Sequence, residues 1–303
     1  MKPAFTYGHA RLYQADCIDW LRERRPNSIH ACMTDPPYGL VEYSRKEQHK
    51  LRNGNGGVWR LPPKLDDGYD RIPLPRFTTL SKKQVEDIDV FFHQWAKALI
   101  RVLVPGAHVL VATNPLVSFV VSDALYRAGL ERRGEVVRLV QTMRGGDRPK
   151  DAHRKFATVS VIPRSMWEPW LLFRKPLDGR VRDNLNKWGT GALRRPSKDR
   201  PFGDVIRSSV TATSERRLAP HPSLKPQAFL RQAVRAMLPV GKGVLLDTFA
   251  GSGSTLAAAE AVGVRSIGVE NLSFYCTVAK RAIPKLATME VTRTKPNGSR
   301  SHP

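Results

Sequence analysis

The sequence predicts an α/β fold, a sheet covered by helices on both faces, and three observations predict it. Short apolar runs alternate with segments whose apolar residues recur near helical spacing. The run Gly243-Val244-Leu245-Leu246-Asp247 passes through a glycine turn into the alanine-rich stretch Leu256 to Ala261, the order of strand, turn and helix. The chain has 303 residues, 41% of them hydrophobic, enough for one large domain with insertions or two modest ones. No run approaches the roughly 18 to 20 apolar residues of a membrane span.

Along the chain, Arg11 to Asp16 reads as a short strand and Cys17 to Arg25 as a helix with Ile18, Leu21 and Trp20 facing inward. Ser28 to Thr34 has the small and apolar character of a buried strand. Pro36 and Pro37 cannot donate to a ladder, so that strand ends at Asp35. Val85 to Leu103 reads as a helix carrying Val90, Phe91, Trp95, Ala98, Leu99 and Val102 on one face, with Pro105-Gly106 as its stop. Val109 to Thr113 follows as a strand and Pro115 to Ala128 as a helix closed by Gly129. Glu135 to Val140 and Trp170 to Arg174 are further strands. Residues 40–83 and 175–220 break the alternation: both are irregular and basic, with Tyr43, Trp59, Tyr69, Trp188 and Phe202 interleaved. The tail after Pro284 reads as frayed.

Charge narrows the partners. Fifty Lys and Arg stand against 27 Asp and Glu, a net charge of +23, with an isoelectric point near 10.5. Such an excess points to a polyanion. A membrane surface competes as an explanation, but no lysine-rich, apolar-faced helix stands out. Cys17, Cys32 and Cys276 lack metal-ligand spacing and suit reduced core thiols, so no metal is expected. The first residues carry no apolar leader, which places the chain by default in the cytoplasm.

Two stretches carry chemistry. Asp35-Pro36-Pro37-Tyr38 puts a carboxylate, a proline carbonyl that no helix or ladder claims, and a ring at the end of a strand. The plain alternative is a rigid turn with Asp35 as a local cap and Tyr38 as packing. The second stretch is Asp247-Thr248-Phe249-Ala250-Gly251-Ser252-Gly253-Ser254-Thr255, where glycines let backbone approach a ligand at the carboxyl end of a strand. A further strand, Ser266 to Glu270, ends in an acid 23 positions after Asp247, suited to the two hydroxyls of a ribose. The third glycine of a dinucleotide fingerprint is missing, as is the lysine of a P-loop, which disfavours pyrophosphate. An adenosine cofactor without phosphate remains, of which S-adenosylmethionine is the commonest.

Asp35-Pro36-Pro37-Tyr38 together with Phe249-Ala250-Gly251-Ser252-Gly253 resembles the amino-methylating DNA methyltransferases, and the order of the two motifs resembles their circularly permuted beta group. The resemblance implies a Rossmann-like methyltransferase sheet with helices on both faces plus basic insertions. It divides the chain into a catalytic core of residues 1–39, 84–174 and 221–285, a basic loop 40–83 near the catalytic site, a target-recognition segment 175–220 and a flexible tail 286–303. Asp35, Pro36, Pro37 and Tyr38 are then catalytic. Asp16 and Cys17 match a segment contacting the cofactor's adenine, His221 to Pro226 with Lys225 matches one closing over the cofactor, and Glu270 and Asn271 complete the cofactor set with residues 247–255. Trp167 and Glu168 fall near the target-base pocket, although the family has His where Trp167 stands in its His-Glu variant. Arg194, Arg195, Lys198 and Arg200 are candidate DNA contacts, to guanine edges or to phosphates.

The implied reaction is methylation of the N6 amine of adenine in double-stranded DNA, on a base flipped out of the duplex. Asp at the first catalytic position leans towards adenine. The same reaction on N4 of cytosine is the nearest rival, followed by RNA or protein amide methylation and a silent DNA-binding relic. A homodimer and a companion restriction endonuclease are the partners the resemblance raises, in a prokaryotic or phage-encoded setting.

Overall fold

The computed structural model describes residues 1–37, 81–140, 148–149, 151–221 and 223–291. Expectations placed on Tyr38, on residues 40–80 and on residues 292–303 lie outside the described residues. Among the described residues nine strands form one sheet: β1 (Phe5–Tyr7), β2 (Ala10–Gln14), β3 (Ile29–Thr34), β4 (Leu103–Ala112), β5 (Glu131–Leu139), β6 (Trp167–Arg174), β7 (Val205–Arg207), β8 (Val244–Asp247) and β9 (Arg265–Glu270). Their spatial order is β1-β2-β9-β8-β3-β4-β6-β5-β7. From β2 to β4 neighbours pair in parallel. β6 is antiparallel to both β4 and β5, while β7 is parallel to β5. One edge of the sheet therefore collects the carboxyl ends of β3, β4, β5, β7, β8 and β9 and the amino end of β6.

The helices are α1 (Cys17–Arg22), α2 (Lys82–Val102), α3 (Ser118–Arg127), α4 (Val181–Trp188), α5 (Thr213–Leu218), α6 (Gln227–Met237), α7 (Ser254–Ala261) and α8 (Ser273–Thr288). Alternating strand residues divide the core between the two faces. Cys32, Val109, Val111, Leu171 and Phe173 pack with α1, α2 and α3, whereas Ala31, Met33, Leu110, Trp170 and Leu172 pack with α6 and α7. β3 leads to β4 through α2 on the first face, and β8 leads to β9 through α7 on the second. The adjacent strands β3 and β8 thus send their chains apart, opening a crevice beyond their carboxyl ends. No helix among the described residues is long and apolar enough to cross a membrane.

Three local expectations change. Helix α2 begins at an N-cap on Ser81, where Ser81 and Gln84 form a capping box, and buries Ile88, Phe92, Trp95, Ala96, Leu99 and Val102. Val90 is 53% exposed, because the inward stripe steps from Ile88 to Phe92 and passes over it. Pro105-Gly106 lies within β4, which starts where the helix ends. Helix α8 continues through Pro284 to Thr288, since Ile283 and Leu286 are fully buried and Arg231 donates to the carbonyls of Leu286 and Met289. Residues 175–220 contain α4, β7 and α5; buried Asn184 fastens α4 to β4 by donating to the Pro105 carbonyl at 3.0 Å.

Candidate active site

The glycine turn is held from below by side chains of neighbouring elements. Asp247 ends β8 buried, accepts from the Thr34 hydroxyl at 2.7 Å and from the Phe249 amide at 3.1 Å, and also hydrogen-bonds Thr255. Burial pushes its carboxyl up to about 6 against the pull of those bonds. The Trp95 indole donates to Thr248 at 3.2 Å, and the Phe249 ring rests against Phe91 and Trp95. Ala250 and Ser252 are buried, and Ser254 and Thr255 open α7.

Gly251 and Gly253 both occupy the left-handed region, at φ +50° and +80°. A Cβ on Gly253 would lie 2.5 Å from Ile283 Cγ1 and 3.2 Å from Ala279 Cβ. Gly253→Ala is therefore expected to lose about 2 to 4 kcal/mol of stability, from backbone strain and overpacking together. Urea unfolding checks it, and an unchanged midpoint would show that α8 yields freely.

Glu270, at the end of β9, accepts from the Gly251 amide at 2.8 Å and the Leu272 amide at 2.9 Å, one on each oxygen. Burial raises its pKa while these amide bonds lower it. The Asn271 amide also hydrogen-bonds this carboxylate, which with about four lone-pair sites keeps acceptor capacity for a ligand hydroxyl. Asp16 lies on the adjacent strand's end, since Ala15 N donates to the Glu270 carbonyl at 3.0 Å. Its carboxylate caps α1, accepting from Ile18 and Asp19 amides. Cys17 is the first residue of α1, buried, its thiol pushed up to about 12 chiefly by that burial. Asn271 is exposed beside Glu270. The left-handed glycine turn and the two acids on adjacent strand ends fit an adenosine with a free ribose.

His221 closes on the turn, since a Cβ on Gly251 would lie 3.0 Å from its Nε2. Its ring packs on Tyr275 with centroids 4.5 Å apart. Burial, helped by the Lys225 ammonium, pushes the imidazole down to about 4, so it is neutral at pH 7. A neutral ring over the turn adds no charge to repel a cationic ligand.

Asp35 lies just past β3, partly buried, with Pro36 buried and Pro37 exposed. Lys225 Nζ donates to Asp35 Oδ2 at 2.5 Å, approaches Glu168 Oε1 at 3.0 Å and reaches the Ser223 carbonyl at 3.3 Å. The structure thus joins Lys225, expected at the cofactor, to Asp35, the acid expected to be catalytic, and to Glu168. Burial disfavours its charge, but the carboxylates of Asp35 and Glu168 outweigh that and raise its pKa. Glu168 is partly buried, which opposes its ionisation, yet Lys225 and Arg138 hold its pKa below the usual carboxylate value. Arg138 Nη1 donates to Glu168 Oε2 at 2.6 Å. Sequence reading missed Arg138, whose signal is a lone charge within Val136-Val137-Arg138-Leu139-Val140.

Trp167, 37% exposed, opens β6 next to Glu168. Arg194 is not brought to this edge. Its amide donates to the Ala236 carbonyl at 2.9 Å and its side chain lies against Gly241, just before β8 and so at the opposite edge of the sheet. Arg195, Lys198 and Arg200 are exposed beyond it. Among the described residues no group of His, Cys, Asp and Glu could hold a metal ion.

Comparison with known proteins agrees with this geometry. A family profile described as DNA methylase, of N6/N4 type, matches residues 29–281. The Type II methyltransferase M.HindIII of Haemophilus influenzae is 26% identical, over 86% of this chain and 90% of its own. A putative DNA modification methylase of Thermus thermophilus, solved with S-adenosyl-L-methionine, superposes with a TM-score of 0.57 at 19% identity, covering 91% of this chain and 94% of its own. The cytosine-N4-specific PvuII DNA methyltransferase superposes at 0.61 with 14% identity, covering 96% and 91%. With its acid and its glycine turn on neighbouring strand ends of that fold, the chain belongs to the N6/N4 family of DNA methylases.

Proposed function

We propose that the protein transfers a methyl group from S-adenosylmethionine to the exocyclic N6 amine of adenine in duplex DNA, on a base turned out of the helix. The observation that carries this is the placement of Asp35 and the 247–255 turn on the adjacent strands β3 and β8, at one crevice. The glycine turn, Glu270 and Asp16 hold the cofactor, which supplies an already activated methyl group. Because the amine's lone pair is delocalised into the ring, the protein's part is to localise and aim it. Asp35 and the Pro36 carbonyl accept the two amine hydrogens, and Tyr38 stacks on the base. Asp35 then receives the proton that the methylated amine gives up, directly or through water. No covalent bond to the enzyme is required, and the buried cysteines take no part. Orientation of this kind accounts for a large share of such a rate enhancement.

An acid at the first catalytic position favours adenine. Transfer to N4 of cytosine is the second reading, because the cytosine-N4-specific PvuII enzyme shares this fold. The relationship to Type II methyltransferases supports work in the cytoplasm beside a companion restriction endonuclease. A homodimer is the assembly proposed from the beta-group resemblance. Incubation with methyl-labelled cofactor and mixed-sequence DNA, followed by nucleoside analysis, should yield N6-methyladenine. N4-methylcytosine would overturn the base assignment, and absence of label in DNA would overturn the reaction.

A further inference from the structure

Arg138 is an expensive residue for its position. It lies in β5 between apolar neighbours, 6% exposed, with its guanidinium over the Phe229 ring at 5.7 Å. A well-packed apolar side chain usually stabilises such a site at least as well as a buried ion pair does. The contacts of Arg138 show what the charge accomplishes. Nε donates to the Ser208 hydroxyl at 3.0 Å, Nη1 to Glu168 Oε2 at 2.6 Å and Nη2 to the Ser209 carbonyl at 2.9 Å. Ser208 and Ser209 follow β7 directly, within the segment 175–220.

On the other side of Glu168 the contacts run through Lys225 to Asp35. Glu168 offers Oε2 to Arg138 and Oε1 to Lys225. Lys225 has three ammonium hydrogens and, among the described residues, three acceptors, on Glu168, Asp35 and the Ser223 carbonyl. Arg138 and Lys225 thus hold opposite oxygens of Glu168, while Glu168 and Asp35 share the Lys225 ammonium. Loss of Arg138 is expected to let Glu168 turn further towards Lys225 and draw it from Asp35.

We propose that Arg138 is a positioning residue for methyl transfer, coupling the Ser208-Ser209 segment to the catalytic acid through Glu168 and Lys225. This rests on the methyltransferase reading above. It adds to that reading a physical link by which an ordered 205–209 segment sets the orientation of Asp35. Glu270 and Asp16 are held by backbone amides and not by this network, so cofactor affinity is expected to change little when it is cut.

The test compares wild-type protein with Arg138→Gln, Arg138→Lys, Glu168→Gln and the Arg138→Gln/Glu168→Gln double variant, all checked for folding by circular dichroism and thermal melting. Arg138→Gln is expected to lower kcat on DNA by about 10- to 100-fold, the size of a lost positioning contact, with cofactor Kd within about twofold. Because Arg138 acts through Glu168, the double variant should be no slower than the slower single variant. Arg138→Lys keeps a cation beside Glu168 but cannot span both serines, so its kcat should recover most of the loss while KM for DNA rises.

A pH profile separates this from a merely structural role. Among the described residues, the charged groups facing Glu168 include Lys225 and Arg138, with Asp35 beyond Lys225 and Glu215 on the far side of Arg138. Losing Arg138 lets burial raise the Glu168 pKa, so the acid limb of kcat should move to higher pH in Arg138→Gln but not in the double variant. Wild-type kcat in a folded Arg138→Gln protein, or fully additive losses in the double variant, would overturn the proposal. Should Arg138→Gln not fold, wild-type KM for DNA in Arg138→Lys would do the same. Absence of methyl transfer by the wild-type protein is a separate outcome and would instead overturn the reading on which the proposal rests.

Discussion

Asp35→Ala is expected to reduce methyl transfer by at least about a thousandfold while leaving cofactor affinity within about threefold of wild type. The size follows from two functions lost at once. An acceptor aimed at developing charge contributes about 10²- to 10³-fold, and a positioned base about 10²- to 10⁴-fold. The alanine also removes the anion nearest Lys225, leaving the ammonium to Glu168 and the Ser223 carbonyl. Cofactor binding is spared because the glycine turn is held by Thr34, Trp95 and Glu270, none of which requires Asp35. Single-turnover kinetics and isothermal titration with S-adenosylmethionine separate the two quantities. Turnover near wild type would remove Asp35 from the mechanism. Equal loss of turnover and of cofactor binding would mean that the acid builds the crevice instead of acting in it.

Much of this site was legible in the sequence because it is written in local chemistry. Two prolines after an apolar run stop a strand wherever it lies, and a glycine turn between strand and helix exposes backbone in any such sheet. What local pattern does not contain is which strands become neighbours. β8 and β9 come last in the chain yet lie between β2 and β3, and the family order of motifs, more than periodicity, announced that. Helix α2 shows the same limit on a smaller scale: Val90 and Phe92 are both apolar, and only packing against the sheet decides that Phe92 turns inward. Lys225 was expected in the segment closing over the cofactor, and local pattern gave no sign of its pairing with Asp35, 190 residues away. Arg194 stood out by charge, yet its place is set by Gly241 and Ala236 at the far edge, which composition cannot convey. Arg138 was overlooked because one cation in an apolar strand resembles an interruption until Glu168 appears beside it.

Lys225→Met should be the most destabilising substitution in the site, at about 3 to 5 kcal/mol near pH 7, the range found when one partner of a buried ion pair is removed. Lys225 is 7% exposed, and its loss leaves the Asp35 and Glu168 carboxylates without the cation between them. The pH dependence carries a definite sign. Lys225 has a folded pKa raised above its ordinary 10.5, so its contribution is complete below that value and disappears as pH rises through the folded one. Glu168 has a folded pKa below its ordinary 4.5, so its contribution is present above that value and disappears as pH falls through the folded one. The difference between wild type and variant is therefore widest on the plateau between these limits. It narrows on the acid side, where protonation relieves the carboxylates, and on the alkaline side, where wild type surrenders its own cation. Urea unfolding at several pH values measures that difference directly. A constant difference across the range would mean that Lys225 stabilises by packing its methylene stem, whereas a peaked one assigns the stability to the charges that hold Asp35 in place.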